Sequence, residues 1–276
     1  MAITAQDVNK LRQMTGAGMM DCKKALTEAN GDFDQAIDIL RKKGQKVSAS
    51  RADRETTEGA VFAKTSGDNS KGVMFALNCE TDFVGKNEDF LSLGNEILDV
   101  AFENNASSKE DLMGMKIGNL TIEEKITELV GKIGEKIEIS DFVVLEGETV
   151  VPYIHAGSKL GVLVALKNVN GSDVQDAGKD VGMQIAAMNP VAVDESGVDQ
   201  ETIDKEIQIG KEQALAEGKP ENIVEKIAQG KLQRYFKDNT LLHQPYVKDG
   251  SMTVAQYLNS VTSGLTVAEF KRVSIG

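Results

Sequence analysis

Gly72-Val73-Met74-Phe75-Ala76-Leu77 and Gly161-Val162-Leu163-Val164-Ala165-Leu166 overlay without a gap as Gly-Val-x-x-Ala-Leu, and each stands at the same place in a larger plan. Ala60-Val61-Phe62-Ala63 precedes the first. Val150-Val151-Pro152-Tyr153-Ile154-His155 and a glycine turn precede the second. Short apolar runs bounded by glycine read as buried strands, so each pair is a hairpin. A helical period follows both, through Phe90, Leu93, Ile97, Leu98 and Ala101 in the first copy and Val181, Ile185 and Ala186 in the second. The repeat predicts an α+β fold built on two related β-β-α core subdomains.

Outward from this pair, residues 1–45 read as a module of three helices. Thr4 caps the first, whose inner side carries Val8 and Leu11. Met19-Met20-Asp21 opens the second, with Cys22, Ala25, Leu26 and Ala29 at helical spacing. Asp32 caps the third, with Phe33, Ala36, Ile37 and Leu40 inside. Lys42-Lys43-Gly44 reads as its stop, positive charge meeting the negative helix end. So small a bundle buries little surface by itself, which suits a docking module. Residues 46–58 are polar and read as a linker or an exposed extension of the helix. Lys46, Arg51 and Arg54 there fit either a basic patch or a solvated segment.

The first core subdomain is assigned to 59–140. It includes a helical insert through Ile122, Ile126, Leu129 and Ile133, and an alternating strand from Ile137 to Leu145 leads out of it. The second is assigned to 141–190 and 240–276, where a strand through Leu265, Val267 and Phe270 completes its sheet. Between them, 191–239 reads as an antiparallel helical hairpin (a coiled coil) turning at Glu217-Gly218-Lys219-Pro220. Arms of ~17 residues extend about 25 Å. Its first arm is weakly apolar and holds Gly210, as in a protruding finger.

Composition narrows the function. The 276 residues carry 31 Lys and Arg against 43 Asp and Glu, a net charge of −12. Nucleic-acid binding begins with neutralising phosphates, so an acidic chain points away from it and toward a protein partner with basic patches. Two cysteines, Cys22 and Cys79, stand far apart with no zinc or redox spacing, which fits a reduced cytoplasmic protein. No apolar run reaches the ~18 residues of a membrane span. With two histidines, His155 and His243, a His-rich metal site is excluded. Gly67-Asp-Asn-Ser-Lys-Gly72 has the glycine spacing of a phosphate loop, but Val73-Met74 stand where Lys and Ser or Thr are needed. It reads as a loop between strands. No cofactor and no metal are expected. Carboxylates such as Glu80, Asp82 and Asp89 could do acid–base work, but nothing pairs them with a nucleophile.

The repeat breaks at one corner. Thr81-Asp82-Phe83-Val84 falls opposite Asn170-Gly171-Ser172-Asp173, which is ordinary turn chemistry. Two readings fit the first copy: Asp82 caps the helix while Phe83 packs into its own core, or Phe83 projects as a hydrophobic plug beside Asp82. An aromatic on a rigid corner is the kind of anchor that dominates protein interfaces.

Two long stretches resemble a known family. Leu11-Arg12-Gln13-Met14-Thr15-Gly16-Ala17-Gly18-Met19-Met20-Asp21-Cys22-Lys23-Lys24-Ala25-Leu26 is similar to the N-terminal signature of bacterial elongation factor Ts, and Asn78-Cys79-Glu80-Thr81-Asp82-Phe83-Val84 with Lys86 resembles its second signature. The resemblance extends over nearly the whole chain, including the helical hairpin and Tyr153-Ile154-His155. It implies guanine-nucleotide exchange on the translation GTPase elongation factor Tu, without chemical catalysis. Asp82 and Phe83, flanked by Thr81 and Val84, would enter the GTPase near its magnesium and phosphate site. Leu11, Arg12, Met19 and Met20 would grip a helix of the same domain, though Met19 and Met20 also read as core. His155 would face another domain of the partner, or serve only structure. Gly85 stands where the family has a small Ala or Ser, which would loosen the start of the helix. After the Phe270 strand some members add a helical module that touches the partner; that contact is not expected here. The N-terminal module also resembles ubiquitin-associated domains, so an adaptor without exchange activity is the alternative. Exposed sheet edges or the finger could also mediate a homodimer.

Overall fold

A capping box starts the first helix of the computed structural model, which describes residues 3–276: Thr4 Oγ1 accepts from the Asp7 N–H, and the Asp7 carboxylate accepts from the Thr4 N–H. Helix α1 (Ala5–Thr15) ends at Gly16, whose left-handed φ of 65° suits glycine. Helices α2 (Met19–Glu28) and α3 (Phe33–Ser50) complete the module around Val8, Leu11, Cys22, Ala25, Leu26 and Ala36.

Helix α3 does not stop at Gly44 but runs six residues further, and the irregular stretch before the first strand is only 51–57. Gly44 is buried where α3 crosses a later helix. A Cβ on Gly131 of that helix would come 2.7 Å from Gly44 Cα, and one on Gly44 would come 3.1 Å from the Thr127 carbonyl oxygen. The glycine serves close approach of two backbones, not termination.

The first hairpin is β1 (Glu58–Thr65) and β2 (Lys71–Cys79), in antiparallel register with Phe62 opposite Phe75, their rings stacked at 5.3 Å. Then follow the single-turn helix α4 (Asp82–Gly85), α5 (Glu88–Glu103) and α6 (Lys109–Gly114). A two-residue ladder of β3 (Lys116–Ile117) and β4 (Leu120–Thr121) leads into α7 (Ile122–Ile133). Strand β5 (Ile137–Glu146) returns beside β2, pairing from Cys79 with Ile137 to Lys71 with Glu146. A division at 140/141 therefore cuts a strand at a bulge: Ile139 before it and Phe142 after it both pair with β2, in a sheet ordered β1-β2-β5.

The second sheet is built from β6 (Thr149–Ile154) and β7 (Leu160–Lys167), followed by α8 (Gln175–Met188). Helices α9 (Gln200–Ala216) and α10 (Glu221–Asn239) form the hairpin. The chain then returns through β8 (Pro245–Tyr246), β9 (Asp249–Thr253), α11 (Val254–Val261) and β10 (Thr266–Ser274). The order β10-β7-β6 makes β7 central, as β2 is in the first sheet.

The two sheets stack face to face. Met74 and Ala76 of β2 meet Leu163 and Ala165 of β7, together with Val61, Leu145, Val150 and Val273. Alternate residues face the helices: Val73, Phe75 and Leu77 toward α5 and α7, and Val162, Val164 and Leu166 toward α8 and α11. Both runs are continuous and apolar because both faces of each central strand are covered. The leading glycines mark the closest approach of the sheets. A Cβ on Gly72 would lie 2.8 Å from Val150 Cγ1, and one on Gly161 would lie 2.6 Å from Val61 Cγ1. Gly210 of α9 likewise sits against Ala228 of α10, where a Cβ would lie 3.0 Å from Ala228 Cα, so it lets the two arms approach closely. Among the described residues no helix is long and apolar enough to cross a membrane.

Candidate partner-docking site

Strand β2 ends at Cys79, and the next two residues are clamped. Arg51 Nη1, from the cap of α3, lies 2.9 Å from both Glu80 carboxylate oxygens, and the Lys136 N–H donates to Glu80 Oε1 at 2.6 Å. Burial would raise the Glu80 carboxyl, but the Lys136 amide and the Arg51 guanidinium outweigh it and hold the group below the ordinary glutamate range. The Glu135 carboxylate accepts from the Thr81 N–H at 3.0 Å and from its hydroxyl at 2.7 Å.

On this base stands α4. Thr81 occupies its N-cap position without making a side-chain capping bond, since its hydroxyl serves Glu135. Asp82 is therefore the first helical residue and not the cap. Its carboxylate accepts from Lys86 Nζ at 2.7 Å, one turn on, and that hydrogen bond and charge keep its pKa low. Val84 turns into the core, whereas Phe83 is 83% exposed. Of the two readings of this corner, inward packing of Phe83 is overturned.

Gly85 does not loosen the helix. A Cβ there would lie 3.2 Å from Gly59 Cα and N, so the glycine seats α4 directly on the backbone of β1. The turn after β6 supports the same place: the Val61 N–H donates to the Ser158 carbonyl at 2.7 Å, and Lys159 pairs with Glu58 at 2.6 Å. Helix, strand and turn together leave the corner little freedom.

The other sequence-identified residues lie on separate elements. Leu11 is wholly buried in the three-helix core and cannot touch a partner; the spacing that made it a core residue also decides its role. Arg12 is exposed, as are Met19 at 52% and Met20 at 63%. Met14, 55% exposed, adds to them. It stands inside the quoted signature but falls off the buried stripe of Val8 and Leu11. His155 lies one residue past β6, exposed, with Nδ1 3.0 Å from the Tyr153 hydroxyl. Sequence reasoning missed Glu135 and Lys136 altogether, since Gly134-Glu135-Lys136 looks like any polar turn. Arg51 was visible only as one charge in a polar stretch.

The corner holds no nucleophile. Cys79 is buried, and its thiol is pushed up to about 12, first by burial and then by Glu135 and Glu58. The arrangement is a rigid pedestal under one bare aromatic, suited to insertion into another protein.

Comparison with known proteins agrees with the signatures. The family model described as Elongation factor TS matches residues 80–276. Elongation factor Ts of Amoebophilus asiaticus is 57% identical over 276 residues, covering 100% of both chains. That of Christiangramia forsetii is 58% identical over 275 residues, with 99% of each chain covered, and that of Porphyromonas gingivalis is 47% identical over 276 residues, covering 100% of this chain and 99% of the relative. The chain belongs to the elongation factor Ts family.

Proposed function

We propose that the protein is a guanine-nucleotide exchange factor: it binds the translation GTPase elongation factor Tu and promotes GDP release by disturbing the magnesium and phosphate site. The observation that carries this reading is the bare Phe83 ring on a corner fixed by Glu135, Glu80 and Gly85. Phe83 enters the GTPase as a wedge with Asp82 beside it and with Thr81 and Val84 framing the corner. Arg12, Met14, Met19 and Met20 grip a helix of the same domain, where thioether side chains adapt to shape. His155, with Tyr153, faces another domain of the partner.

Such a protein needs no catalytic group, only tighter binding to the empty GTPase than to the loaded one. Coupling is reciprocal, so the incoming nucleotide ejects the factor. Weakening GDP 10⁴-fold requires about 5.5 kcal/mol of differential binding. One buried aromatic supplies about 1.5–3 kcal/mol. Phe83 therefore opens the site, and displaced magnesium ligands or a shifted phosphate loop supply the remainder.

Stopped-flow release of a fluorescent GDP from elongation factor Tu tests the reading. Acceleration that saturates with the concentration of this protein is expected. Binding without acceleration would instead identify an adaptor of the ubiquitin-associated kind.

A further inference from the structure

Helix α3 belongs to two parts of the molecule at once. Its first half contributes Ala36, Ile37 and Leu40 to the core of the N-terminal module. Beyond it, Gly44, Val47 and Arg51 recur at i, i+3 and i+7, a single stripe along the helix and its cap. Gly44 rests on Gly131 of α7, Val47 packs against the first core, and Arg51 grips Glu80 one residue before Thr81. Two further ties flank the stripe. Lys43 pairs with Asp21 at 2.5 Å, immediately after Met20, and Arg41 pairs with Glu128 of α7 at 3.3 Å. The 18 residues of α3 span about 27 Å at ~1.5 Å each, from the methionine-bearing module to the corner.

We propose that α3 is a strut holding the Met14, Met19 and Met20 patch at a fixed distance and orientation from Phe83, with Arg51 as the positioning residue that joins the strut to the corner. The consequence for exchange rests on the function proposed above; the rigidity does not. Two contacts on one rigid body engage a partner as a single event, and the second is effectively intramolecular. A flexible joint would let each contact settle separately, so that binding at the methionines would no longer drive the ring home. Pre-organisation of this sort removes the ordering cost at the moment of association. Close Gly44–Gly131 packing prevents the helices from sliding. The Arg51–Glu80 pair prevents the corner from swinging about the end of β2.

The test uses the full chain carrying spin labels at Lys23→Cys and Glu88→Cys, two exposed positions near the two contacts; the native Cys22 and Cys79 are buried. The strut gives one narrow inter-label distance distribution in the otherwise unaltered protein. Arg51→Ala should broaden it and lower the saturating GDP-release rate up to about tenfold, no more than loss of the aromatic ring itself would. Affinity for nucleotide-free elongation factor Tu should fall by less than the rate. Arg51→Lys, keeping the charge and one donor, should recover part of both the distance and the rate. A broad distribution in the unaltered protein, or an Arg51→Ala variant unchanged in both distance and rate, overturns the strut. If Arg51→Ala fails to fold, the distribution of the unaltered protein decides alone. If the protein accelerates no nucleotide release yet Arg51→Ala broadens a narrow distribution, the exchange reading fails and the strut stands.

Discussion

Two corners of the molecule leave the central strands of a repeated plan, and they are built differently. Where β2 ends, Glu80 and Thr81 lead straight into α4 with no left-handed residue from 80 to 87. Where β7 ends, Asn168, Asn170 and Gly171 take φ values of 62°, 53° and 74°. Yet both corners are pinned in the same way. Glu135 accepts from the amide and hydroxyl of Thr81, and Glu148 accepts from the amides of Asn168 and Val169 at 2.7 and 3.0 Å. Rigidity is thus common to both, and what separates them is the side chain displayed. The second corner buries Val169 and Val174, whereas the first turns Phe83 outward. Left-handed positions favour Asn and Gly and penalise bulky residues, so the second corner is poorly suited to presenting an aromatic.

The sharpest way to break this contrast is Phe83→Ala. Since the ring is exposed, stability should change by no more than about 0.5 kcal/mol. The GDP-release rate should fall about ten- to a hundredfold, the value of one buried aromatic, while much of the binding persists. Unchanged release in stopped flow would leave the two corners functionally equal and end the wedge.

Next comes the pedestal. Glu135→Ala strips Thr81 of its acceptor and should cost about 1–2 kcal/mol in denaturant unfolding, with a smaller loss of exchange than Phe83→Ala. A normal exchange rate in a measurably destabilised variant would show that the ring needs no fixed base.

Acidification should act on the first corner through Glu80, which Arg51, Arg54 and Lys136 face. Its folded pKa lies below the ordinary value of 4.5, so the unfolded state binds the proton more readily. The contribution to stability is complete above about that pH and is lost as pH falls through the lower folded value. Unfolding curves between pH 6 and 3 should show this dependence, and Arg51→Ala should shrink it. An equal slope in that variant would mean that Arg51 does not hold the carboxylate.

How much of this was legible follows from how far each interaction reaches along the chain. Thr4 and Asp32 announce their helices because each acceptor lies within three residues of its donor. The central strands are legible because burial on both faces leaves a continuous apolar run. Gly44 misleads, since a glycine after two lysines looks the same whether it ends a helix or lets another helix approach. Only the contact with Gly131, far along the chain, decides. The outward direction of Phe83 was left open by the pattern, and the Glu135 clamp lies 54 residues from Thr81 with no local period to reveal it. Leu11 shows the opposite hazard: it stands inside a signature stretch, yet its helical phase makes it core.

The smallest expected effect tests the comparison most strictly. Glu148→Gln keeps the size of the side chain at the second corner and one oxygen that can accept from the Asn168 or Val169 amide, but it removes the charge that strengthens both bonds. The group is exposed, so water can replace the lost acceptor, and the cost should stay below about 1 kcal/mol. Because that corner exposes no large apolar side chain, GDP release should be unaltered within error. Suppose instead that release slows in Glu148→Gln as far as it does in Glu135→Ala. The two corners would then be equivalent, and exchange would depend on the stiffness of the stacked sheets as a whole, with Phe83 one contact among many.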